Sequence, residues 1–125
     1  MINGTHFLLY SKNPESDRAF LRDVLGFRSV DAGRGWLIFA LPTAEIAVHP
    51  SDEASARNTD DGVVAAALYF LCDDLKSTMR SLKAKKASFT PVEDAPWGIV
   101  TTLPLPSGAK IGLYQPKHPT AVELG

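Results

Sequence analysis

The chain alternates between short apolar runs of strand length and two segments whose apolar residues recur at helical spacing. Thr5–Ser11 (THFLLYS) reads as a strand, with His6, Leu8 and Tyr10 on one face and Phe7 and Leu9 on the other. Asn13-Pro14 then supplies a helix cap and a first helical residue, and Glu15 and Asp17 suit the positive end of the helix. Phe20, Leu21, Val24 and Leu25 make its apolar stripe, and Gly26 is the expected left-handed stop. Strands are predicted over Phe27–Asp31, Trp36–Leu41 and Ile46–His49, with a turn at Gly33–Gly35. Ser51–Gly62 (SDEASARNTDDG) has no apolar periodicity and reads as a solvated linker.

After the linker the same order returns. Ala65–Cys72 (AAALYFLC) reads as a strand, and Asp74 caps a helix that carries Leu75, Met79 and Leu82 on one side. Lys83, Lys85 and Lys86 suit its negative end. A short strand is predicted over Ser88–Val92. The stretch Trp97–Pro116 (WGIVTTLPLPSGAKIGLYQP) then forms two strands around a Pro106-Ser107-Gly108 turn. Leu41-Pro42-Thr43-Ala44-Glu45-Ile46-Ala47-Val48 echoes Leu105-Pro106-Ser107-Gly108-Ala109-Lys110-Ile111-Gly112-Leu113. At a constant offset Phe7-Leu8-Leu9-Tyr10 matches Leu68-Tyr69-Phe70-Leu71, Asn13 matches Asp74, and Leu21 matches Leu82. Two copies of a βαβββ unit follow, and such a repeat decides architecture before local assignments do. The predicted fold class is α+β, with two βαβββ modules forming a curved eight-stranded mixed sheet around a cavity and the helices outside. The boundaries are about 1–50 for module 1, 51–62 for the linker, about 63–117 for module 2 and 118–125 for a tail.

Composition narrows the function classes. With 125 residues and a formal charge of −1, the chain is one domain by length and lacks the basic face that nucleic acid or an anionic membrane would require. The single cysteine, Cys72, excludes an internal disulfide, and its parity places it on the helix side of its strand. The amino-terminal stretch has no basic region and only a four-residue apolar run, so no signal peptide is expected. No apolar run reaches membrane-spanning length. A cytoplasmic location is the expectation.

The residues carrying chemistry are few. Gly33-Arg34-Gly35 precedes a strand rather than a helix, so it is no phosphate loop. Ser107-Gly108 is turn chemistry rather than a nucleophile elbow. Asp73-Asp74 is explained by helix capping, and His118 lies in a tail over the surface or a partner. Strand parity points His6, Leu8, Tyr10, Ala47, His49, Ala67, Tyr69, Leu71, Gly112 and Tyr114 inward, with Trp36, Phe39 and Trp97 on strands that wall the cavity. Aromatic surface, small residues that leave room and a few polar tips suit a small-molecule pocket.

Four motifs, in order, resemble the glyoxalase / bleomycin-resistance / extradiol-dioxygenase superfamily, the vicinal oxygen chelate fold. They are Gly4-Thr5-His6, Phe20–Phe27 (FLRDVLGF), Leu68–Leu75 (LYFLCDDL), and Leu105-Pro106-Ser107-Gly108 with Leu113-Tyr114-Gln115-Pro116. The resemblance implies four positions around a divalent ion, which fall here on His6, Ala47, Ala67 and Gly112. Only His6 offers a donor, whereas such sites use three or four His, Cys, Asp or Glu ligands. The expectation is therefore no metal and no cofactor, and a protein that binds a small apolar or aromatic molecule. A displaced set of His6, Glu45 and His49 is the metal-dependent alternative, for a lyase, isomerase or dioxygenase. A metal-free enzyme with His6 or His49 as base, aided by Tyr10, Tyr69 or Tyr114, is a third reading. The resemblance also implies a homodimer, and the linker permits the modules to pair within one chain or to swap between protomers.

Overall fold

The computed structural model describes residues 6–48, 61–63 and 65–124. Its elements, in chain order, are α1 (Pro14–Asp23), β1 (Ser29–Asp31), β2 (Leu37–Phe39), β3 (Tyr69–Leu71), α2 (Leu75–Lys83), β4 (Glu93–Ala95), β5 (Gly98–Pro104) and β6 (Lys110–Pro116). A single 3-10 turn follows at Val122–Leu124.

Both helices begin and end as their residues require. The Asn13 side chain accepts from the Ser16 N–H at 3.3 Å and Pro14 takes the first helical position, where it has no N–H to leave unsatisfied. Gly26 adopts φ +75°, and the Phe27 N–H closes back on the Leu21 carbonyl at 3.1 Å. Asp74 caps α2 through the Ser77 N–H at 3.1 Å. The stop of α2 is made by Lys86 at φ 69°, with the Ala87 N–H returning to Leu82.

The second half is a complete βαβββ unit. Its sheet runs β3-β6-β5-β4, with β3 parallel to β6 and the other pairs antiparallel. Directly opposed residues share a face, so the register sorts the sheet cleanly. Thr101, Leu103, Ile111 and Leu113 point to one side and, with Leu75 of α2, are buried as the core. The Leu75 N–H donates to the Gln115 side-chain oxygen at 2.9 Å, which ties the start of α2 to β6. Tyr69, Leu71, Gly112, Tyr114, Val100 and Glu93 occupy the other face.

The first half is attached to the helix-covered side at three points. Phe27 packs its ring 5.1 Å from that of Phe70, and the Lys85 ammonium reaches the Val24 carbonyl at 3.4 Å. Asp17, buried near the start of α1, accepts from the Ser107 N–H at 3.0 Å and from the Ser107 hydroxyl at 2.7 Å. In its own hairpin β1 pairs antiparallel with β2, and the Asp31 carboxylate orders the turn by accepting from Gly33 and Gly35.

Several expectations are corrected. Among the described residues there are six strands in a two-stranded and a four-stranded sheet, where one eight-stranded sheet was expected. Residues 6–11 and 46–48 form no ladder, because neither has a partner strand beside it; Ile46 and Val48 are 90% and 91% exposed. The strand predicted over Ala65–Cys72 is confined to Tyr69–Leu71, where β6 lies alongside. Ser88–Val92 is irregular, and the strand falls at Glu93–Ala95 because the Pro96-Trp97 turn folds that segment onto β5. Cys72 faces α2 as expected. No helix among the described residues is long and apolar enough to cross a membrane.

Candidate functional site

The open face of the second sheet is built on two glycines. Tyr69 of β3 lies directly beside Gly112 of β6. A Cβ placed on Gly112 would fall inside the Tyr69 ring, 2.6 Å from its Cγ, so the ring rests on bare backbone. Tyr114 does the same over Gly98, where a Cβ would enter the ring and lie 2.8 Å from the Gln115 carbonyl oxygen. Period 2 along β6 brings Gly112 and Tyr114 to one face, and register with β3 and β5 supplies their neighbours.

The rings then hold one another. Tyr69 meets Tyr114 edge-on, with centroids 6.4 Å apart and planes at 72°. Trp97 lies 5.7 Å from Tyr114, and His118 lies 5.6 Å from it. The Tyr114 hydroxyl donates to the Trp97 carbonyl at 2.9 Å, and the Lys117 N–H donates to the same oxygen at 3.0 Å. The Lys117 ammonium pairs with Asp94. Tyr69 and Trp97 each remain 49% exposed, so aromatic area is left facing outward.

Burial, and after it the nearby Glu45 carboxylate, push the Tyr114 hydroxyl above its ordinary value. Glu45 itself accepts from the Ala121 N–H at 2.6 Å, which brings the carboxy-terminal tail back over the first half. Glu93 puts an exposed carboxylate on the face, directly opposite Val100.

Of the residues read from the sequence, Tyr69, Trp97, Gly112 and Tyr114 are brought together. His6, Leu8, Ala47 and Ala67 are exposed on irregular segments, and His49 lies outside the described residues. Tyr10 borders an open hollow with Lys12, Ser107, Gly108 and Ala109, at the opposite end of the β5–β6 hairpin from Trp97. Trp36 lies under the Arg18 guanidinium at 4.4 Å, and Phe39 is half-buried in β2. Gly98, His118 and Glu93 were not singled out for the site in the sequence. Gly98 carried a signal: it shares the strand parity of the cavity wall and directly follows Trp97.

The donor set does not fit a metal. Ala47, Ala67 and Gly112 have no donor atoms, and the space above Gly112 is taken by the Tyr69 ring. No group of three His, Cys, Asp or Glu side chains converges among the described residues.

This geometry can be set beside known proteins. A family model described as glyoxalase/bleomycin resistance protein/dioxygenase superfamily matches residues 5–111, across both halves of the chain. The chain belongs to that superfamily. Solved members share its fold at low sequence identity. TnmS3, an antibiotic binding protein from Streptomyces sp. CB03234, is 20% identical with a TM-score of 0.58, over 94% of this chain and 100% of its own. Lactoylglutathione lyase from Agrobacterium tumefaciens is 16% identical with a TM-score of 0.61, over 90% and 92%. A glyoxalase family protein from Enterococcus faecalis is 18% identical with a TM-score of 0.55, over 80% and 86%. No curated protein matches the sequence. Proteins of this fold thus include both an antibiotic binder and a lyase, and the choice between those roles rests on this chain's own residues.

Proposed function

We propose that this superfamily member is a metal-free binding protein that holds a small apolar or aromatic molecule against the Tyr69–Tyr114–Trp97 face. The observation that carries the reading is the Tyr69 ring standing over Gly112, the position where a catalytic relative would need a ligand side chain. Half-exposed aromatic rings fixed by one another and by the Trp97 carbonyl make a preformed apolar contact surface with polar groups at its edge. The antibiotic binding protein with the same fold supports small-molecule binding as a use of this architecture.

We infer further that the cavity closes by pairing with a second copy of the chain, completing the eight-stranded arrangement. Leu8 and Trp36 are 66% and 61% exposed, as is most of Ile46 and Val48, and apolar area gains about 25 cal/mol per Å² when covered. A chain with a single cysteine relies on no internal disulfide, which suits a reducing compartment, and we infer a cytoplasmic location.

The test is a thermal-shift screen of the purified protein against divalent Ni, Zn, Mn and Fe and against a library of neutral, cationic and anionic aromatic compounds. It is joined by elemental analysis and by sedimentation to obtain mass. Shifts with aromatic compounds, none with metals, and a dimer mass are expected. A stoichiometric ion lost on His6→Ala would overturn the metal-free reading, and a monomer mass at all concentrations would overturn the pairing.

A further inference from the structure

The ligand's shape can be taken further, on the assumption that the face binds a small molecule at all. We propose that the ligand is a planar, conjugated ring system of neutral or positive charge that stacks on Tyr69, and that Gly112 is the positioning residue that sets the stacking plane.

Three observations carry this. The Tyr69 ring is pressed onto the backbone of β6, because Gly112 offers no Cβ; any side chain there would have to expel the whole ring, since the clash extends to its Cγ. The ring is also locked laterally. Tyr114 meets it edge-on, and Tyr114 is held in turn by the glycine at 98, by Trp97 and by its own hydroxyl bond to the Trp97 carbonyl. Finally, Tyr69 is half-exposed although its strand is paired, so one side of a fixed ring is open to a partner.

A rigid, low-lying aromatic surface favours a flat ligand over a globular one of equal apolar area, because only the flat one contacts the whole ring without reordering it. The charge follows from the neighbours. Ring faces carry negative quadrupole density, which disfavours an anionic partner, and Glu93 adds an exposed carboxylate on the same face of the sheet.

The experiment compares two cationic probes of different shape by calorimetric titration at neutral pH: proflavine, which is flat and tricyclic, and 1-adamantylamine, which is a cage. Proflavine is expected to bind more tightly by about tenfold or more, in line with the strength of single-ring stacking. Tyr69→Ala should remove that advantage, whereas Tyr69→Phe should keep it. Gly112→Ala should weaken proflavine by about tenfold in the wild-type background and leave it unchanged in the Tyr69→Ala background, since the glycine acts only through the ring. A merely structural role for Gly112 would weaken binding in both backgrounds. Should Gly112→Ala fail to fold, as judged by circular dichroism, the Tyr69→Ala and Tyr69→Phe pair still decides the point. Equal binding of both probes, or proflavine affinity indifferent to Tyr69→Ala, overturns the stacking proposal and leaves the broader binding reading standing. Silence from both probes and from the whole compound library overturns the broader reading itself.

Discussion

Replacing Asp17 by alanine removes both bonds that hold α1 to the β5–β6 turn. The carboxylate is 7% exposed and accepts from the Ser107 N–H at 3.0 Å and the Ser107 hydroxyl at 2.7 Å, across ninety positions of sequence. Hydrogen bonds to a charged acceptor contribute about 1.5–3 kcal/mol each, and a stranded, half-buried N–H adds a desolvation penalty. The two bonds share one carboxylate and are not additive, so Asp17→Ala should cost about 2–4 kcal/mol. Ser107→Ala keeps the backbone bond and should cost about 1–1.5 kcal/mol. The double variant should show a coupling of about 1–2 kcal/mol. With a urea slope near 2 kcal/mol per molar, Asp17→Ala lowers the midpoint by roughly 1–2 M. The assay is urea unfolding followed by tryptophan fluorescence in Trp36→Phe and Trp97→Phe backgrounds, so that each half has its own reporter. The two reporters should unfold together with Asp17 present and separately without it. An Asp17→Ala midpoint unchanged from wild type, or coincident transitions after the substitution, would refute the idea that this contact joins the halves.

Other outcomes are open to simple measurement. Burial pushes the Cys72 thiol up, so 5,5′-dithiobis(2-nitrobenzoate) should react with it more slowly at neutral pH than with a free cysteine peptide, and the difference should vanish in urea. Tyr114 should ionise above the ordinary tyrosine range when absorbance near 295 nm is followed above about pH 10. Because its folded-state value is raised, the unfolded chain loses that proton first; the contribution is intact below the ordinary tyrosine range and is lost as pH rises through it and on to the raised value. Glu45→Gln should bring the Tyr114 transition closer to the ordinary value in the same titration. Asp74→Ala should lower stability by about 1 kcal/mol through loss of the Ser77 N–H bond, read as a urea midpoint.

Local rules made much of the second half legible. Asn13-Pro14, Asp74 and the Pro106-Ser107-Gly108 turn act within a few residues of themselves, so the helices and the β5–β6 hairpin fell where the sequence placed them. The strand at Glu93–Ala95 was hidden because it is an edge strand with two acidic residues, defined by the turn that folds it onto β5 rather than by its own apolar content. In the first half, alternation pointed Leu8 and Tyr10 inward and put Ile46 and Val48 on the face opposite Ala47 and His49. Alternation says that a face needs cover; it does not say which chain provides it, and here those residues stand exposed. The site was partly legible for the same reason. Tyr69, Gly112 and Tyr114 share a parity that any strand reading finds. That the Tyr69 ring lies on Gly112 depends on a parallel register between positions 43 residues apart, which no local pattern encodes.

That register also constrains how the molecule is made. β6 is an interior strand of the sheet: β3 pairs with it, β5 pairs with it, and α2 is pinned to it through Gln115. Yet β6 is the last of these to be synthesised. Until Lys110–Pro116 arrives, β3 has no hydrogen-bonding neighbour, Leu75 has no Ile111 or Leu113 to pack with, and Tyr69 has no backbone to lie on. The β4–β5 hairpin and α2 can form on local contacts, but the β3 pairing and the core beneath the sheet are completed only when the carboxyl-end strand is in place.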